Sequence, residues 1–186
     1  IVKQKLWLYF STEYRYRINS VIAGAPLNVQ HEPLERHDLY TRLKLTWSPS
    51  SRHRVNLSLN ADPTWLTNIR NIDGSQTNAY TSEADYFQNQ GGAFGILTWD
   101  YFASDTLLFG LQTGVQWFGF TLGPQLGDLV SPTHIDNGST ITWNNSDAAS
   151  VISDGRLRFQ FDPTVTWIKR GGIGTHTVKA GAQVQF

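Results

Sequence analysis

The chain has 186 residues, no cysteine, and equal numbers of cationic and acidic side chains, 15 of each. These values exclude a disulfide framework, a thiol nucleophile and the strongly basic surface that is typical of nucleic-acid binding. No apolar run reaches the roughly 18 residues that a membrane-spanning helix needs. The aromatic content of 13% suits either a β-sandwich with a binding face or a barrel with interfacial aromatic girdles.

Apolar and polar residues alternate with a period of two along the chain, and this period predicts β-strands. In the first segment, for example, Leu8 and Phe10 are separated by single residues from further apolar or aromatic positions. Because successive side chains of a strand point to opposite faces, each strand has one apolar and one polar face. Seven strands are predicted, at about 5–18, 38–47, 53–62, 92–102, 107–120, 156–168 and 175–186.

The connections between these strands alternate in length. Long connections at 19–37, 63–91 and 121–155 are separated by short turns. In an up-and-down meander, every second connection lies at the same rim, so the long loops share one rim and the short turns share the other. Outer-membrane barrels have this asymmetry, whereas a soluble sandwich has no reason to sort its loops by length. We therefore predict an all-β, antiparallel up-and-down meander of about seven strands, forming part of a larger transmembrane β-barrel.

The alternation also divides the side chains between two environments. The candidates for a polar, lumen-facing wall are Glu13, Arg15, Arg17, Arg42, Lys44, Arg54, Asp100, Arg158, Asp162 and Lys179. The candidates for the lipid-facing side are Leu8, Phe10, Leu43, Leu45, Leu57, Leu59, Phe109, Leu111, Phe159, Phe161 and Val184. Aromatic residues near strand ends are expected to form a girdle at the lipid–water boundary; they are Trp47, Trp99, Tyr101, Trp117 and Trp167. The charged wall either is a hydrogen-bonded lining or forms a substrate path.

An odd number of strands predicts that residues 1–186 are one section of the barrel domain. Single-chain bacterial barrels close with even strand numbers. An open sheet would also leave two edges of unpaired backbone groups in lipid, where each such group costs several kcal/mol. We therefore expect further strands to flank this section.

Three segments carry a resemblance to a known family. The chain opens Ile-Val-Lys-Gln-Lys-Leu-Trp-Leu-Tyr-Phe, residues 42–55 hold a strand, a Ser-Pro turn and a His-Arg restart, and residues 176–181 read His-Thr-Val-Lys-Ala-Gly. In this order they resemble barrel strands of TonB-dependent outer-membrane receptors of the Oar-like branch, with Gln4 in place of the usual acid. The last residues, 179–186, fit a barrel-assembly signal, but the resemblance places the opening motif early in the barrel and so predicts that Phe186 is internal.

The resemblance implies a function in the bacterial outer membrane, namely uptake of a scarce solute. It implies as partners the lipid bilayer, the remaining barrel strands and a plug domain of the same receptor, TonB acting through that plug, and an unknown small solute or peptide. No nucleic-acid partner is expected. The long outer loops would capture the solute.

No enzyme activity, cofactor, catalytic residue or metal site is predicted. His31–Glu32 and His37–Asp38 could bind a metal, but solvated loop residues are favoured, and Asp136-Asn137-Gly138 supplies only part of a calcium loop. The alternative functions are a non-TonB outer-membrane channel or adhesin and, less favoured, a soluble carbohydrate-binding β-sandwich.

Overall fold

A computed structural model describes residues 5–19, 32–69, 85–132, 134–136, 141–143 and 151–186. Eleven β-strands run through these residues: β1 Leu6–Asn19, β2 Leu34–Ser50, β3 His53–Ala61, β4 Thr64–Ile69, β5 Tyr86–Ser104, β6 Leu107–Pro124, β7 His134–Asp136, β8 Ile141–Trp143, β9 Ile152–Arg170, β10 Thr175–Gly181 and β11 Val184–Gln185. The described residues contain no helix that is long and apolar enough to cross a membrane.

Nine of the strands form one antiparallel sheet with seven strand positions, in the order β1-β2-β3-β5-β6-β9-β10. β4 pairs with the same two neighbours as β3, and β11 pairs with β9 as β10 does. β3 and β4 therefore form one strand position with an interruption, and β10 and β11 form another. The prediction of an all-β, antiparallel up-and-down meander is confirmed. Within the described residues, the outer edges of β1 and of β10 have no neighbouring strand.

The interruption between β3 and β4 is a local change of backbone pairing at Asp62-Pro63. Pro63 lacks an N–H donor and cannot continue a regular ladder. The amide of Asp62 donates to the carbonyl of Gly92 at 3.0 Å, and the Asp62 carboxylate accepts from the amide of Gly92 at 2.9 Å. Neighbouring Gly91 has a φ of 126°, a conformation that side chains disfavour. The strand position thus continues past the proline instead of ending in a loop.

The predicted strand bounds are too short at the rim of the long connections. The predicted loop 63–91 contains β4 and the start of β5, the predicted loop 19–37 contains the first residues of β2, and the predicted loop 121–155 contains β7, β8 and parts of β6 and β9. The apolar alternation stops at this rim, but backbone pairing continues because polar residues form the same ladder. The other predicted bounds differ by a few residues.

The buried apolar core is small and lies at the rim of the long connections. In the described part of the chain it consists of Ile69, Tyr86 and Leu122. Three partly buried residues pack against it, namely Leu34, Leu66 and Phe120. The core lies beyond the apolar strand segments, so it does not cover their large apolar surface.

Candidate functional site

The register of the sheet collects the apolar residues of every strand on one face. Directly paired residues of neighbouring strands lie on the same face of a sheet. One such row runs Leu8, Leu45, Leu57, Leu97, Thr113, Phe161, Val184, and the next runs Phe10, Leu43, Leu59, Gly95, Val115, Phe159. We call the surface that these rows define the apolar face. Phe109 and Leu111 alternate in step with Thr113 on β6 and therefore lie on the same face. All eleven residues predicted to contact lipid thus lie on the apolar face.

The apolar face is uncovered. Phe10 is 58% exposed and Phe159 is 47% exposed, although these residues lie mid-strand. None of the eleven predicted lipid-facing residues is buried. Within the described residues, no second sheet or helix packs over this face. A continuous exposed apolar surface of this kind marks a contact with another apolar phase or partner.

The length of the apolar band along the strand direction can be read from single strands. On β9 the apolar phase runs from Leu157 to Trp167, and on β6 it runs from Leu107 to Trp117. Each stretch spans 11 residues. At about 3.3 Å per residue this corresponds to about 33 Å along the strand. At the strand tilt of about 40° that transmembrane barrels have, this length would correspond to a height of about 25 Å.

Aromatic side chains mark one edge of the band, at the rim of the short turns. Trp47, Trp99 and Trp167 lie on the apolar face there and are 37–48% exposed. Beside them, the rings of His53 and Tyr101 stack with centroids 4.8 Å apart, and Tyr101 stacks on Phe109 at 6.2 Å. The predicted girdle residue Trp117 lies at the opposite end of its strand, so the five predicted girdle residues do not form one ring.

The opposite face of the sheet carries the predicted lumen-facing residues. The register places all ten of them in the phase that alternates with the apolar rows. Neutral polar side chains connect neighbouring strands there, because Thr46 donates to Asn56 at 3.0 Å and Asn56 donates to Thr98 at 3.2 Å. We call this surface the polar face.

Charged side chains of the polar face form separate hydrogen bonds. Arg42 donates to Asn60 at 2.8 Å, Gln160 donates to Asp162 at 2.5 Å, and Arg158 donates to Gln185. A shallow depression of about 440 Å³ adjoins Arg42 and is lined in part by Ser11, Glu13, Tyr40, Asn60 and Phe94. The arrangement is a hydrogen-bonded polar wall.

Among the described residues of the polar face, the strongly buried charge is Asp38, which was not among the predicted lumen-facing residues. Its side chain is 0% exposed. Arg17 of β1 donates to Asp38 Oδ2 at 2.5 Å, Arg36 donates to both carboxylate oxygens at 2.9 and 3.1 Å, and Thr64 of β4 donates to Oδ1 at 2.7 Å. This group, which we call the Asp38 cluster, connects three strands at the rim of the long connections.

Two candidate metal motifs are changed by the structure. His37 and Asp38 lie in β2 and not in a loop, and His37 accepts or donates a hydrogen bond with Tyr14 at 2.6 Å. Asp136 lies in β7, whereas residues 137, 138 and His31 fall outside the described residues. In the described part of the chain, no group of three or more potential metal ligands occurs.

The segment after β6 contains a capped turn. The amides of Val130 and Ser131 donate to Asp128 Oδ1, each at 2.9 Å. Hydrogen bonds from Ser131 and from the Val130 amide hold the pKa of Asp128 below its ordinary value. The ionised carboxylate therefore stabilises this turn.

Comparisons of the chain with protein-family models, with curated proteins and with solved structures gave no match.

Proposed function

We propose that this sheet is a section of the wall of an outer-membrane β-barrel, and that the barrel belongs to a TonB-dependent receptor that takes up a scarce solute. The apolar face carries the proposal. Its length of about 33 Å along the strand is the length that a strand tilted by about 40° needs to cross the apolar band of a transmembrane barrel, which is about 25 Å tall. Its stretches of 11 residues equal the length of a tilted membrane-spanning strand, about 9–11 residues.

The cost of leaving this face in water supports a lipid environment. Ordinary soluble proteins expose contiguous apolar patches of at most a few hundred Å², and each further 100 Å² costs about 2.5 kcal/mol. A second protein layer would remove this cost only with a complementary apolar surface. A bilayer covers any apolar band of the right height, and it accounts for the tryptophans at one edge of the band.

The polar face supports a wet interior on the other side of the same strands. Its residues hydrogen-bond to one another through Asn56, Asn60 and Gln160, as expected where side chains meet water or a polar plug. The alternative of a carbohydrate-binding sandwich requires a protein layer on the apolar face, and the described residues supply none.

The assignment to a TonB-dependent receptor depends on the ordered resemblance of residues 1–10, 42–55 and 176–181. A non-TonB channel or adhesin would have the same wall, so the wall does not separate the two classes. A plug domain in the full gene product is required only by the receptor. We expect its uptake activity to disappear in cells that lack TonB, and uptake that persists there would favour the channel.

Cysteine labelling in intact cells tests the membrane placement, because the chain has no cysteine of its own. Val130→Cys lies in the segment after β6, and Ile173→Cys lies in the short turn between β9 and β10; both positions are over 90% exposed. A membrane-impermeant maleimide should label Val130→Cys in intact cells, and label Ile173→Cys only after the outer membrane is permeabilised. Equal labelling of both in intact cells would refute the proposed orientation.

A further inference from the structure

We propose that the rim of the short turns binds the headgroups of anionic phospholipids. This inference rests on the proposed function, since it requires the apolar face to lie in a bilayer. The rim consists of residues 5–7, 48–54, 100–108 and 168–176. The chemical class of the partner is a lipid phosphate at the membrane surface.

Cations are concentrated at this rim. It carries five of them, Lys5, Arg52, Arg54, Lys169 and Arg170, against the two carboxylates Asp100 and Asp105. Lys169 and Arg170 are exposed and form no ion pair within the described residues. At the opposite end of the same strands the balance reverses, with acids that include Glu32, Glu35, Asp85 and Asp128. The sheet thus has a basic rim and an acidic rim.

The position of Lys169 selects lipid as the partner, whereas Arg54 and Arg170 lie in the phase of the polar face. Lys169 pairs directly with His176 across β9 and β10, and the adjacent pair on the same face joins Trp167 to Val178. Lys169 and His176 therefore project from the apolar face, about 7 Å beyond the last aromatic row. A lysine at the end of an apolar band extends its ammonium group to the phosphate level. An acidic soluble protein could not reach this face when a bilayer surrounds it.

The electrostatic attraction between one of these cations and an anionic membrane surface is large enough to measure. A lysine or arginine at the surface of an anionic membrane contributes roughly 1 kcal/mol, which corresponds to about a fivefold change in local lipid occupancy. The chain's lack of cysteine allows a single reporter at Val178→Cys, which is 56% exposed on the apolar face.

The experiment uses the full gene product with any cysteine outside residues 1–186 replaced, carrying Val178→Cys with a fluorescent label, in phosphatidylcholine vesicles at low salt. Doxyl-phosphatidylglycerol and doxyl-phosphatidylcholine are added separately, and the ratio of their quenching is measured. We expect a ratio of at least about five, which falls by about fivefold or more, towards one, in Lys169→Gln/Arg170→Gln. Lys169→Arg should retain the ratio.

The control variant Arg42→Gln/Lys44→Gln removes the same charge from the polar face and should leave the ratio unchanged. A ratio near one with the unmodified rim, or an equal fall of the ratio in the control variant, would overturn this inference. Strong quenching by both lipids would in either case leave the proposed function intact. Absence of quenching by either lipid would instead show that Val178 is not in a bilayer, and both proposals would fail.

Discussion

Removal of the Asp38 carboxylate should loosen one end of the sheet and leave the apolar band intact. Asp38 accepts hydrogen bonds from Arg17, Arg36 and Thr64, and its side chain is fully buried. The substitution Asp38→Asn keeps the volume but removes the charge that two guanidinium groups share. The expected effect is local because the cluster joins only β1, β2 and β4.

The geometry sets the size of this effect. Breaking a buried ion pair by removing one partner costs about 3–5 kcal/mol. The guanidinium groups recover part of that cost by hydration, since the side chains of Arg17 and Arg36 are 51% and 33% exposed. We therefore expect a loss of about 2 kcal/mol, which is about a thirtyfold increase in the local opening constant.

Amide hydrogen exchange in the reconstituted protein measures local opening. In Asp38→Asn, amides of residues 34–38 and 64–69 should exchange about thirtyfold faster, while those of residues 93–101 stay unchanged. The matched control is Glu13→Gln, which breaks the exposed Glu13–Arg15 ion pair of 2.6 Å and should alter neither segment. Unchanged exchange in Asp38→Asn, or equal acceleration in Glu13→Gln, would refute the role of the cluster.

Three further changes test other parts of the structure. Phe159→Arg on the apolar face should destabilise the protein in vesicles by about 2–4 kcal/mol, as measured by denaturant unfolding. Gln160→Arg on the polar face should be tolerated. Equal losses of stability in the two variants would contradict the assignment of the faces. Gly91→Ala should destabilise the protein by about 2 kcal/mol in the same assay, because φ is 126° and the added Cβ would lie 2.5 Å from a backbone oxygen. In Gly114→Ala the atom nearest to the added Cβ lies 3.6 Å away, so this control variant should be near neutral. The turn at Asp128 should be stable above the ordinary pKa of 3.8 and loosen as the pH falls through the lowered pKa; exchange of amides 130 and 131 should show this pH dependence, and Asp128→Asn should abolish it.

The sequence was sufficient to predict the strand order and the division of residues between the two faces. Both follow from a period of two, which holds wherever one face is apolar, as along 107–117 and 157–167. The short turns were predictable to within a few residues: Gly171-Gly172 interrupts the alternation where the chain turns, whereas β2 continues through Ser48-Pro49 to Ser50 and turns at residues 51 and 52. The side-chain period thus carries most of the fold.

The rim of the long connections could not be predicted in the same way. The apolar alternation stops there while backbone pairing continues through polar residues, so β4 and the first residues of β2 and β5 resemble loops. On β2 the polar face includes Arg36, Asp38 and Tyr40. This alternation could have been used to extend the predicted strand towards its N-terminal end. The contacts of Asp38 with Arg17 and Thr64, 21 and 26 residues away, depend on a register that no local pattern encodes.

The most direct measurement of the central claim is an accessibility scan with a nitroxide label along β6, in the full gene product reconstituted in phospholipid vesicles. Single cysteines at positions 109–117 are labelled in turn, and collisions with oxygen and with a water-soluble nickel complex are compared. The proposed wall predicts that odd positions such as Leu111 and Val115 collide with oxygen, and that even positions such as Gln112 and Gln116 collide with nickel. Exclusion of both reagents from the odd positions would show a protein layer over the apolar face and would contradict the barrel wall.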